Sequence, residues 1–160
     1  MSTFYNVVPS PFGPLTSVVD EVGSLQVLHF GEVHPTGAIQ DAAKTGAVDK
    51  QLEEYFSGKR NDFDLPLNPK GTEFQHRVWK LLREIPYGET RSYGQLAQEL
   101  GNPGASRAVG RANATNPIAI IVPCHRVIGS NGTLTGYAGG LSMKEKLLQF
   151  EQGLTPNLFD

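Results

Sequence analysis

The chain has a single thiol, Cys124, in the run Ile121-Val122-Pro123-Cys124-His125-Arg126-Val127-Ile128. One cysteine cannot close an internal disulfide, form a dithiol redox pair or furnish a multi-cysteine zinc site. It can act as a nucleophile. The His125 and Arg126 that follow it are residues whose charge lowers a thiol's pKa and raises its thiolate fraction. The ordinary alternative is a small buried hydrophobe, and the flanking proline, histidine and arginine weigh against it. His29, His34 and His76 read as surface or packing residues, so no metal is expected.

A nucleophile needs a scaffold, and 160 residues suffice for one ordinary domain or two small ones. The hydrophobic share of 39% and charged share of 19% describe a soluble globular chain and exclude a disordered one. No apolar run approaches the roughly 20 residues that span a bilayer. The start, Met1-Ser2-Thr3-Phe4-Tyr5, has neither a basic opening nor an apolar secretory core. The expectation is a cytoplasmic protein with no membrane partner. The net charge of −2 conceals an asymmetry: residues 1–71 carry −4 and residues 72–151 carry +3. Between Arg91 and Arg126 there are four arginines and one acid, Glu99. Such a stretch attracts phosphates, although solvated faces share the pattern.

The first third reads as β, with short apolar runs at 4–8, 15–19 and 25–30 and the turn-forming Pro9-Ser10-Pro11-Phe12-Gly13-Pro14 after the first. A helix is predicted over 46–56, with Val48, Leu52, Tyr55 and Phe56 at helical spacing. Phe63, Leu65 and Leu67 alternate as a strand would, and Asn68-Pro69-Lys70-Gly71 reads as a linker. Two domains are therefore expected, 1–70 and 71–160.

The second is more helical. Thr72 with Gln75, Ser92 with Gln95, and Ser142 with Glu145 have capping-box spacing. One helix carries Phe74, Val78, Leu81, Leu82 and Ile85 on its apolar face, and the next, over 92–100, carries Leu96, Ala97 and Leu100. Gly101 suits the position just past a helix end, and Asn102-Pro103 suits a new start. A further helix over 103–114 completes a helix-turn-helix. Its Gly104, Ala105, Ser106, Ala108, Gly110 and Ala112 are all small, and Arg107 and Arg111, four apart, share a side.

From Gly71 to Glu151 the sequence resembles the O6-alkylguanine-DNA alkyltransferases, the methylated-DNA–protein-cysteine methyltransferase family. The resemblance lies in Ile85-Pro86-Tyr87-Gly88-Glu89-Thr90, Ser92-Tyr93-Gly94-Gln95-Leu96-Ala97, Arg107-Ala108-Val109-Gly110, and Asn116-Pro117 leading into Pro123-Cys124-His125-Arg126-Val127. Gly136-Tyr137-Ala138-Gly139-Gly140-Leu141 and the stretch from Lys144-Glu145 to Glu151 also fit. The N-terminal part matches only loosely, through Ser10-Pro11-Phe12-Gly13-Pro14-Leu15.

The resemblance implies an α/β (α+β) protein: an N-terminal ribonuclease-H-like sheet domain and a C-terminal winged-helix-like domain holding the helix-turn-helix. It implies DNA repair by one irreversible transfer of an alkyl group from O6-alkylguanine, and from O4-alkylthymine, to Cys124. A thiolate, the softest nucleophile among side chains, suits an alkyl carbon on an aryl ether oxygen. By the same resemblance His125 takes the thiol's proton through a water, Glu151 holds that imidazole, and Asn116 braces the turn. Arg107 fills the stack left by a rotated base, and Tyr93 crowds the phosphate and contacts that base. Ser92, Ala108, Gly110 and Arg111 complete the DNA-contacting set, with the small-residue helix in the minor groove. Tyr93, Val127, Tyr137 and Ala138 line the base pocket. Some relatives have serine at the position of Ala138, so a hydroxyl contact is absent here. Certain relatives bind zinc through N-terminal cysteines that this chain lacks, so no metal is carried over.

No cofactor is expected. The partner is double-stranded DNA containing O6-alkylguanine, met by a monomer, with cooperative binding left open. Two readings compete: a cysteine hydrolase using Cys124 and His125, and a helix-turn-helix regulator with no chemistry. The first leaves the basic helix-turn-helix unexplained, and the second leaves the Pro-Cys-His-Arg run unexplained. Lesion sensors related to the family lack the cysteine that is present here.

Overall fold

A computed structural model describes residues 2–134, 137 and 140–153. The chain forms two compact units. The first holds the residues up to Lys70 together with Pro117–Ile121; the second holds Gly71–Asn116 and the described residues from Val122 onward. The five residues 117–121 thus lie with the first unit, although they fall inside the stretch 71–160 expected to form the second.

In the first unit, β1 (Thr3–Val8), β2 (Leu15–Val19), β3 (Leu25–Phe30) and β4 (Ala38–Gln40) form one sheet in the order β3-β2-β1-β4. The first three pair antiparallel and β4 lies parallel to β1. A turn over Ser10–Gly13, closed by Ser10 and Gly13 hydrogen bonds, joins β1 to β2. Helix α1 (Gly46–Phe56) buries Val48, Leu52, Tyr55 and Phe56, as the spacing requires. Its Asp49 accepts hydrogen bonds from Asn6, Ser17 and Thr45, tying the helix start to the sheet.

The strand expected over 63–67 does not form. Leu67 makes an isolated bridge to Leu25, with Leu25 N–H donating to Pro66 O and Asn68 N–H to Leu25 O. Prolines at 66 and 69 bracket that bridge, and neither can donate to a ladder. At the same edge of β3, Leu28 N–H donates to Pro117 O and Ala119 N–H to Leu28 O, which places Ile118 beside the strand. The chain then reverses in a tight turn. Ile120 sits at φ 69° and Ile121 N–H donates to Ala119 O at 2.7 Å. A β-branched residue in the left-handed region is a true outlier.

The second unit opens with α2 (Glu73–Arg83), whose Thr72–Gln75 capping box is formed in both directions. Its buried residues are Val78, Trp79 and Leu82. Phe74 and Leu81, expected inside, are only half-buried, and Trp79 takes their share. Next come β5 (Arg91–Ser92) and α3 (Tyr93–Glu99), again with a complete capping box, between Ser92 and Gln95. Gly101 at φ 79° ends α3. Its N–H reaches Gln98 O and that of Asn102 reaches Ala97 O, the Schellman pattern. A 3₁₀ turn over Pro103–Ala105 leads into α4 (Ser106–Ala114). A 3₁₀ turn over Cys124–Arg126 runs into β6 (Val127–Ile128), and α5 (Leu141–Glu151) follows. Ser142 does not cap α5. Gly140 at φ 93° is the N-cap, and its carbonyl takes the first helical bond from Lys144.

Helix α2 packs on α4, and α3 packs on α4. Trp79 Nε1 donates to Ala112 O at 2.8 Å, which anchors the end of α4 on α2. Gly71 lies against the indole: a Cβ there would fall 2.5 and 2.7 Å from Trp79 ring carbons. Gly71→Ala is therefore expected to destabilise by about 1–3 kcal/mol through overpacking. Urea unfolding followed by the fluorescence of Trp79, the chain's one tryptophan, checks this directly.

Candidate active site

Cys124 is 5% exposed and opens the 3₁₀ turn that follows Pro123. Two asparagines near the end of α4 hold this turn. Asn116 Nδ2 donates to Val122 O at 2.8 Å, and Asn113 Nδ2 donates to Cys124 O at 3.3 Å. Beyond the turn, β6 pairs in parallel with β5, Arg91 opposite Val127 and Ser92 opposite Ile128. That short ladder fixes the exit of the thiol turn against the entry to α3, and so sets Ser92 and Tyr93 beside it.

The side chains of the two residues after the thiol both meet Glu151. His125 Nε2 lies 2.9 Å from Glu151 Oε2, with both side chains fully buried. Arg126 grips the same carboxylate with two bonds of 2.8 Å, Nε to Oε1 and Nη2 to Oε2, and its Nη1 donates to Ile85 O. Burial alone would raise the Glu151 carboxyl, but the charges and hydrogen bonds of His125 and Arg126 hold it far below the usual carboxylate range. An ionised carboxylate only accepts, so in the neutral imidazole Nε2 carries the proton and Nδ1 the lone pair. Nδ1 is buried and has no hydrogen-bond partner among the described residues. The ring is oriented by Glu151 and has its basic nitrogen open.

Burial pushes the Cys124 thiol above its ordinary value, outweighing the downward pull of a hydrogen bond with Asn116 and of the charge on Lys144. The expectation that the adjacent His125 and Arg126 would depress the thiol is thus corrected, because both are committed to Glu151. The resting thiol is protonated and needs a base. Tyr137 is raised well above the ordinary tyrosine value by burial and by the charges of Cys124 and Glu151. Its hydroxyl is buried and stays a proton donor.

Cys124, His125, Asn116 and Glu151 therefore converge, and Val127, Tyr93 and Tyr137 adjoin them. Ala138 lies outside the described residues. Arg107 and Arg111 are exposed on α4, while Ala108 and Gly110 are half-buried. A Cβ on Gly110 would meet the Tyr93 ring at 3.9 Å, an ordinary contact, so packing within the unit does not demand glycine there. A polar cleft of about 300 Å³ opens beside Ser92, Gln95, Ile128 and Ser130. Arg126 was legible in the sequence only as charge, and its partner lies 25 residues on. Asn113 carried no sequence signal beyond being a polar residue in a helix. No group of three or more His, Cys, Asp or Glu among the described residues could hold a metal ion.

A helix-turn-helix unit built around one buried thiol, with a carboxylate-held imidazole next to it, defines a DNA-directed thiol acceptor. The comparisons with known proteins agree. Residues 3–69 match the ribonuclease-like domain of 6-O-methylguanine DNA methyltransferase, and residues 73–153 match its DNA-binding domain. The chain belongs to this family. The methylated-DNA–protein-cysteine methyltransferase of Methanosarcina acetivorans is 52% identical, covering 92% of this chain and 97% of its own. That of Mycobacterium tuberculosis is 52% identical over 98% of both chains. A crystal structure of M. tuberculosis OGT in complex with DNA superposes with a TM-score of 0.89 at 48% identity, covering 98% of this chain and 99% of that one.

Glu151→Gln leaves the buried guanidinium of Arg126 without its countercharge and should cost about 3–5 kcal/mol at pH 7. The carboxyl is depressed in the fold, so its contribution is present above its ordinary value of 4.5 and is lost as pH falls below that. Urea unfolding of both proteins should therefore show a stability gap at pH 7 that narrows at lower pH.

Proposed function

We infer that this protein repairs DNA by direct reversal, moving the alkyl group from O6 of guanine onto Cys124 once and irreversibly. The observation that carries the reading is that the chain's one thiol is followed directly by an imidazole whose Nε2 is held by Glu151 and whose Nδ1 has no hydrogen-bond partner among the described residues. The thiol gives its proton to Nδ1 through a water. The sulfur then attacks the alkyl carbon, so that a C–S bond forms as the C–O bond breaks. The electron pair of the broken bond goes to the base, which becomes guanine on taking a proton at N1. The proton lost by the thiol equals the proton gained by the base, and no further reactant is needed. The same aryl ether in O4-alkylthymine makes it a second substrate.

Double-stranded DNA containing the lesion is the partner, met by a monomer in a compartment that keeps thiols reduced, the cytoplasm. No helix among the described residues is long and apolar enough to cross a membrane. Exposed Arg107 and Arg111 with small residues between them suit the minor groove, about 6 Å wide. The buried thiol requires the target base to leave the stack. Arg107 takes its place there, Tyr93 crowds the phosphate, and Ser92, Ala108, Gly110 and Arg111 line the approach. Tyr93, Val127, Tyr137 and Ala138 form the pocket.

Incubation with methylated duplex DNA should add one methyl group per chain, located on Cys124 by mass spectrometry. Cys124→Ala should bind DNA and transfer nothing. Multiple turnover, or a stable alkyl group elsewhere, would end this reading. Arg107→Ala should slow repair of duplex DNA strongly while sparing reaction with free O6-benzylguanine, which needs no base rotation. Equal loss on both substrates would make Arg107 a pocket or structural residue.

A further inference from the structure

The buried face of α4 carries Val109, Ala112 and Asn113, a stripe at helical spacing. The third member breaks the pattern. It is an amide, 2% exposed, in a place where an apolar side chain would be buried at less cost. Its Nδ2 donates to Cys124 O at 3.3 Å, while its Oδ1 is buried with no hydrogen-bond partner among the described residues. Turning the amide over would set Oδ1 against the carbonyl oxygen, acceptor to acceptor, so the donor belongs where it stands. A single neutral hydrogen bond does not outweigh an orphaned buried acceptor, and stability therefore gives no reason for asparagine here.

The carbonyls on either side of Pro123 are held alike. Val122 O accepts from Cys124 N–H and from Asn116 Nδ2, each at 2.8 Å. Cys124 O accepts from Val127 N–H and from Asn113 Nδ2. A carbonyl oxygen has two lone pairs, so both acceptors are fully used, one bond each from the turn's own backbone and one from an asparagine side chain. The Asn113 bond fixes the plane of the peptide that joins Cys124 to His125. We propose that Asn113 is a positioning residue for alkyl transfer, which acts through the Cys124 carbonyl to set the direction in which the sulfur leaves the turn. A displacement needs the sulfur, the alkyl carbon and the departing oxygen in line, and a misplacement of about 1 Å lowers a rate by about 10²-fold. Helix α4 also exposes Arg107 and Arg111, so the helix assigned to DNA aims the sulfur as well.

The inference rests on the thiol-acceptor reading. Asn113→Leu keeps the shape of the side chain and removes the donor. Its urea midpoint should match or exceed the parent's, and its affinity for methylated duplex DNA should stay within a few-fold. Single-turnover alkyl transfer should slow by about 10–100-fold. The factor should be the same on duplex DNA and on free O6-benzylguanine, since the defect lies at the sulfur and not in base rotation. Alkylation of Cys124 by iodoacetamide, a small reagent that the protein does not orient, should keep the parental pH profile. A folded Asn113→Leu protein with parental transfer rates would overturn the proposal. So would a shifted iodoacetamide profile, which would put the amide's effect on thiol ionisation, or a loss confined to duplex DNA. A measurement on the parent protein needs no variant. The Nδ2 hydrogens of Asn113 should exchange with solvent far more slowly than those of exposed Asn61. Exchange at the exposed rate would overturn the clamp even where Asn113→Leu fails to fold. A parent that accepts no alkyl group from either substrate would instead count against the acceptor reading itself, and the exchange rate would still decide the clamp.

Discussion

The Glu151 carboxylate is the interaction on which the second unit depends. It receives two bonds from Arg126 and one from His125, all buried. Arg126 in turn reaches the carbonyl of Ile85, just past the end of α2. One anion therefore joins α5 to the thiol turn and, through the guanidinium, to the segment after α2. An isolated buried carboxylate would be protonated or unstable. The fork geometry of arginine satisfies both oxygens and still leaves room for the imidazole. The same contact that stabilises the fold thus sets the tautomer of His125. Stability and chemistry share one pair of oxygens.

This arrangement separates two tasks that the sequence made look like one. Pro123-Cys124-His125-Arg126 read as a thiol with cationic neighbours, and proximity along the chain suggested that they act on the sulfur. The 3₁₀ turn instead sends the imidazole and the guanidinium to α5, and burial keeps the thiol protonated. A thiol that burial keeps protonated is a weaker nucleophile than a thiolate. For a protein that can react once, that restraint matters more than raw nucleophilicity.

Local signals were legible where local physics decides. The capping boxes at Thr72 and Ser92, and Gly101 beyond α3, follow from orphan backbone groups within one turn of chain. The α1 face followed from periodicity. Position in a sheet was less legible. The alternating run at 63–67 carries a proline, Pro66, that the pattern ignored, and β4, three residues long, has no pattern to read. Ser142 had the right spacing for a cap, but the left-handed Gly140 starts the helix earlier. The pairing of His125 with Glu151 came from family resemblance, since nothing in a 26-residue separation announces it. Asn113 stayed hidden because its role depends on which face of a helix meets a turn distant in sequence.

The five residues Pro117–Ile121 have a meaning for how this architecture can be inherited. They follow Asn116 and precede Val122, both parts of the second unit, yet they are built into the first. Ile118, Ala119, Ile120 and Ile121 are all at most 7% exposed, and their backbone completes the edge of β3. The chain therefore crosses between units three times, not once. A gene fragment beginning at Gly71 would carry four apolar residues shaped for a sheet it no longer encodes. The unit that holds the thiol is consequently a poor module for shuffling: recombination at the linker would cut the polypeptide where the sequence looks divisible and leave the fold incomplete on both sides.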